Sequence, residues 1–199
     1  MLTSMRRGRL LLLLSAPLLA SCNPDILDSG NVTVRLTLGG SDIQSGLIGK
    51  DASIGSATLT NGPVPTGASS PVRSWDEFIA YAQGQCGGDP AGFSIRFVSM
   101  GIVSGSGTVA RLDDVLTGTA WVYFSDGASS TLDVAATYTA LGTSATLAPQ
   151  VTQGGLAPWR PMLLAGNFRI GLRGSTSNAA TDSFSMVVDV VLAMNAHCT

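Results

Sequence analysis

The chain has 199 residues, 45% hydrophobic and 12% charged, with 11 basic and 13 acidic side chains and a formal net charge of −2. That balance argues against nucleic acid as a partner, which calls for a basic surface, and the length fits a single domain. Lys50, Glu77 and His197 are each the only residue of their type, so aspartate carboxylates are the one class of acid–base group in supply.

The N-terminus reads as an export signal. Met5-Arg6-Arg7-Gly8-Arg9 is a basic region, residues 10–19 are apolar apart from Ser15 and Pro17, and Leu19-Ala20-Ser21-Cys22 closes the segment. Cations, a short apolar core and then small residues form the order a signal peptidase requires. The apolar run falls short of the ~20 residues a membrane-spanning helix needs, and the surroundings of Arg6-Arg7 match a twin-arginine signal poorly.

The Leu-Ala-Ser-Cys ending resembles the lipobox of bacterial lipoproteins, over about the first tenth of the chain. The resemblance implies a signal peptide over 1–21 and a mature chain that begins at Cys22. Cys22 would carry a diacylglyceryl group and an N-acyl chain such as palmitate. Buried acyl carbons contribute roughly 0.8 kcal/mol each, so two or three chains hold a protein firmly to a membrane. The location implied is the cell envelope, facing the periplasm or the exterior; Asn23, in place of Asp, leans towards the outer membrane on the enterobacterial rule. A plain secretory signal cut after Ala20 or Ser21 is the alternative.

Loss of Arg6, Arg7 and Arg9 leaves 8 cations (11 − 3) against 13 anions, with no polybasic patch for anionic lipid heads. Residues 22–30 read as the lipidated cysteine and a short tether, spanning at most ~28 Å. Residues 31–199 read as one β-rich domain.

Val32, Val34, Leu36 and Leu38 alternate with polar residues and predict a half-buried strand over 31–38. Residues 53–60 predict a weaker strand, and the Gly/Pro/Ser-rich stretch 61–73 a loop. Ser74, with Glu77 three residues later, has the form of a capping box and predicts a helix ended by Gly84. Phe93, Ile95 and Phe97 resume the strand pattern, and further strands are expected over 102–112, 117–124, 131–139 and 141–147. Ser125-Asp126-Gly127-Ala128 is a hairpin signal, because Asp-Gly accommodates positive φ. Residues 149–161 read as a Pro/Gly loop, followed by strands over 162–172 and 184–195, the last apolar enough to be central. The fold class is mainly β: one antiparallel sandwich or small barrel of seven to nine strands with one short helix near 74–83.

After Cys22, Cys86 and Cys198 remain. Two cysteines in an oxidising compartment are expected to pair as a disulfide. Two buried thiols, or a metal pair with His197 lacking further ligands, are the alternatives. His197 would have to serve any Ser–His–Asp triad, yet it stands two residues from the C-terminus, and no Gly-x-Ser-x-Gly elbow occurs. Gly105-Ser-Gly107-Thr-Val-Ala110 spells a dinucleotide fingerprint, but its β-prone surroundings fit a glycine-rich strand instead. Asp113, Asp114, Asp126 and Asp133 read as turn carboxylates.

No catalytic, metal or cofactor site is assigned. Trp121 is expected in the core or a cross-strand pair. Trp159, flanked by Pro158 and Pro161, is the candidate exposed ligand contact, with a plug at the end of the fold as its competing role. The function expected is a non-enzymatic binding, scaffolding or assembly role at a membrane, with other envelope proteins or glycan as partners. A carboxylate-dependent hydrolase of cell-wall or extracellular polymer, and a small-ligand carrier with an apolar cavity, are the alternatives.

Overall fold

The computed structural model describes residues 25–106, 109–137, 141–176 and 184–199. The segment 1–21 read as a signal peptide, Cys22 and Gly107 lie outside them. Ten antiparallel strands form one curled sheet: β1 (Ile26–Gly39), β2 (Ile43–Gln44), β3 (Leu47–Ser53), β4 (Thr58–Thr60), β5 (Gly92–Gly105), β6 (Thr117–Ser125), β7 (Thr131–Thr137), β8 (Ser144–Pro149), β9 (Arg169–Ser175) and β10 (Ser185–His197). Their order is β2-β3-β9-β6-β7-β8-β5-β10-β1-β4. β3 pairs with β9, whereas β4, a few residues later, pairs with β1. One chain segment, 47–60, thus runs from one end of the sheet to the other, and the sheet is curled as a half-barrel.

The strands curl because one side of each is apolar. Val32, Val34, Leu36 and Leu38 on β1 and Met186, Val188, Val190, Leu192 and Met194 on β10 are all buried. Val98, Met100, Val122, Phe124, Ile170 and Leu172 continue the interior on β5, β6 and β9. This period of two is the signature of a sheet with one dry face. The interior is filled by these side chains.

One end is plugged by helices. In α1 (Trp75–Cys86), Ser74 Oγ accepts from Glu77 N (3.2 Å), while Glu77 Oε2 accepts from Arg73 N (2.6 Å). The box is therefore displaced by one residue from its usual partner. Gly84 does not end the helix; it continues to Cys86 and stops at Gly87, which is left-handed (φ +68°) as a C-terminal cap requires. Trp75, Phe78, Ile79 and Ala82 face inward, and Trp75 Nε1 donates to Leu163 O at 2.7 Å.

Residues 149–161 are not a loop. They hold α2 (Gln153–Leu156) and a 3-10 turn (Ala157–Trp159), leading into α3 (Arg160–Ala165). Thr152 caps α2, and Pro158 and Pro161 occupy first-turn positions, where the missing N–H of proline costs nothing. The strand expected over 162–172 accordingly starts only at Arg169, that over 102–112 ends at Gly105, and that over 141–147 spans Ser144–Pro149. Ten strands exceed the seven to nine expected, chiefly because the β2–β3 hairpin carries no strong alternation in sequence.

β1 begins at Ile26, so residues 26–30 belong to the sheet, and Asp25 O accepts from Cys198 N at 3.0 Å. Cys86 and Cys198 form a disulfide with Cα atoms 5.0 Å apart. The entry of the chain, the disulfide and the last strand's end therefore sit together at the helix-plugged end. Antiparallel registers carry this direction around the sheet and place Gly39, Leu47, Thr117 and Ser175 at the other end.

Candidate functional site

Trp159 is not an exposed contact. It is 7% exposed, and its ring centroid lies 6.3 Å from Phe124 inside a cluster with Phe168 and Trp75. The helical turns around it direct the indole into the end of the barrel, so it takes the plug role.

His197 ends β10 on the outer face, where its Nε2 and Ser94 Oγ are 2.7 Å apart. Asp28, opposite Asn195 in the β1–β10 register, is bound by Arg96 at 2.8 Å. Asp113 and Asp114 bind Arg111 and the backbone N–H groups of Ala110 and Arg111. Asp126 Oδ1 accepts from Ala128, Ser129 and Ser130 within 3.0 Å, which holds its carboxyl below the ordinary range. These are turn-forming carboxylates. Gly105 closes β5 against an antiparallel partner, and a 3-10 turn over Leu112–Asp114 follows, so the βαβ frame of a dinucleotide site is missing among the described residues.

The outer face of β3, β9, β6 and β7 gathers a different set. Ala120, Val122 and Phe124 point inward, so Trp121 and Tyr123 point outward, half-buried. Register sets Trp121 and Gly49 on either side of Arg173, and Tyr123 and Asp51 on either side of Gly171. The Tyr123 ring lies across Gly171, where a Cβ would overlap it. Burial, and then the neighbouring Asp51 carboxylate, push the Tyr123 hydroxyl above the ordinary tyrosine range.

Two ion pairs frame this aromatic strip. Arg173 Nη2 donates to both Asp133 oxygens (2.7 and 2.6 Å), and its guanidinium carbon stands 5.5 Å from the Tyr123 ring centre. Arg169 Nε donates to Asp51 Oδ1 at 2.7 Å. Beside them opens a groove of about 310 Å³, lined by Leu47, Ile48, Trp121, Asp133, Arg173 and Gly174. Leu47, at its rim, is 59% exposed.

No family model, curated protein or solved structure matches the chain.

The strip was hidden in sequence because its members come from four separate strands. The signal that could have found it is alternation: Trp121 and Tyr123 occupy the phase opposite to Val122 and Phe124, and Arg169 and Arg173 the phase opposite to Ile170 and Leu172. Among the described residues that line the groove, Asp133 is the one carboxylate, and it is bound to Arg173. The arrangement places an aromatic surface beside a fixed donor and a fixed acceptor.

Proposed function

We propose that the protein is a lipid-anchored envelope lipoprotein with a non-enzymatic binding role, exercised through the outer face of β3, β9 and β6. The observation that carries this reading is the short distance between Leu19-Ala20-Ser21-Cys22 and the start of β1 at Ile26. A lipid on Cys22 leaves only residues 23–25 as a spacer, at most ~11 Å when extended. The disulfide end of the barrel is then held against the bilayer. The Trp121–Arg173 groove then opens on the side of the sheet, with its rim residue Leu47 at the end away from the bilayer.

Scaffolding by strand addition has less support from the geometry. β2 has two residues and β4 three, and Leu59 N on β4 donates to Arg73 O at 3.1 Å, so the 61–73 loop covers that edge.

The test is photo-crosslinking in intact cells, with the reactive residue placed at Leu47 or, as reference, at Arg96 near the opposite end of the sheet. Discrete adducts from position 47 and none from 96 support the reading. Equal labelling from both positions, or none from 47, overturns it.

A further inference from the structure

We infer that the Trp121–Arg173 groove binds a neutral saccharide, an assignment that rests on the binding role proposed above. Three features of the groove select that chemistry. Its volume, 310 Å³, stands at the lower bound of the ~300–1,000 Å³ typical of small-ligand clefts, and so suits one or two rings rather than a folded partner. Its apolar walls, Trp121 and the exposed Leu47, present a flat aromatic surface and an aliphatic one. The C–H face of a pyranose stacks on such a surface while its edge keeps the hydroxyls free.

The polar wall completes the match. Asp133 and Arg173 hold each other at 2.6 Å, and Tyr123 supports the guanidinium from one side. The carboxylate is an acceptor only and the guanidinium a donor only. A hydroxyl both donates and accepts, so a vicinal pair of hydroxyls can engage both groups without breaking their bond. Gly49, opposite Arg173 in register, leaves no side chain to fill the approach from β3.

Charge and desolvation narrow the class. Arg173 pairs with Asp133 and Arg169 with Asp51, so the strip carries no net charge to attract phosphate, sulfate or uronate. An apolar peptide side chain seated there would strip water from the Arg173–Asp133 pair and return no hydrogen bond. A sugar replaces that water with its own hydroxyls.

The full-length protein, expressed with its own leader and purified in detergent, should be titrated with neutral oligomers of glucose, mannose, galactose and N-acetylglucosamine. Sulfated and uronate oligomers serve as the charged comparison. The expected result is saturable binding of at least one neutral class, weakened about tenfold or more by Asp133→Asn, since hydrogen bonds to charged groups carry that weight, and weakened also by Trp121→Ala, which removes the stacking surface. Asp133→Asn keeps the groove's shape, and unchanged circular dichroism shows that it has folded. Arg35→Gln, which breaks the Arg35–Asp189 pair on the β1–β10 face, should bind as the parent does.

Binding that prefers the charged oligomers, ignores both groove variants, or is absent for every neutral class overturns the assignment. If crosslinks from Leu47 persist in cells while saccharides fail to bind, the saccharide falls and the binding role stands. If the crosslinks are absent too, both fall.

Discussion

Removing the Cys86–Cys198 disulfide tests how the helical plug is held to the barrel. The cysteines are 112 residues apart, so reduction frees a long loop in the unfolded chain. The chain-entropy relation gives about 4.8 kcal/mol for a loop of that size. In the folded state, α1 keeps its Ser74 cap, its buried face and the Trp75–Leu163 hydrogen bond, so the native structure has other means of holding it. The loss should therefore act mainly through the unfolded ensemble. For a domain of this size each kcal/mol moves Tm by roughly 2–4 °C, which predicts a fall of about 10–19 °C. Urea unfolding of the Cys86→Ala/Cys198→Ala variant, followed by tryptophan fluorescence and far-ultraviolet circular dichroism, should show a lower midpoint. It should also show a larger m-value, because the uncrosslinked chain exposes more surface. A stability change below about 1 kcal/mol, with native dichroism retained, would refute the entropic reasoning.

Trp159→Ala should cost about 3–5 kcal/mol in urea unfolding, as for other buried aromatics; a cost near zero would show that the indole is not a plug. Gly171→Ala drives a Cβ into the Tyr123 ring and should cost about 1–3 kcal/mol, with a Tyr123→Ala partner recovering part of it in a double-mutant cycle. The folded-state pKa of Asp126 is depressed, so its contribution is present above the ordinary carboxyl range near ~4 and is lost as pH falls through the lower folded value. Amide protection at Ala128, Ser129 and Ser130 should follow that acid-side course, and Asp126→Asn should abolish it. The hydroxyl pKa of Tyr123 is raised, so its contribution is full below about pH 10 and is lost as pH rises through the raised value. An ultraviolet titration should lose an alkaline-shifted tyrosine component in Tyr123→Phe; an unchanged curve would contradict the burial of that hydroxyl.

The parts of the fold that could be read from sequence carry their own local chemistry. Ser74 and Glu77 announce α1, Asp126-Gly127 the hairpin between β6 and β7, and the apolar run ending at Asn195 the central strand β10. Residues 152–166 were misleading because proline stops a helix in its interior and yet starts one well. Pro158 and Pro161 read as loop residues, and only their first-turn positions show otherwise. Residues 43–53 gave no signal because Gly49, Lys50 and Asp51 break the alternation. The β2–β3 hairpin rests on its turn instead, where Ser45 and Gly46 both take positive φ (51° and 76°). The groove is further from view, since Leu47, Trp121, Asp133 and Arg173 meet only through the strand order β3-β9-β6-β7, which no local pattern encodes.

The anchor is the claim on which the proposed orientation depends, and the intact mass of the protein extracted from membranes tests it directly. The expected chain begins at Cys22 and is heavier than its residues by a diacylglyceryl group and an acyl chain, with Cys22→Ala found in the soluble fraction. A chain that begins at Ser21 or Cys22 without added mass, or a Cys22→Ala variant still held by the membrane, would contradict it.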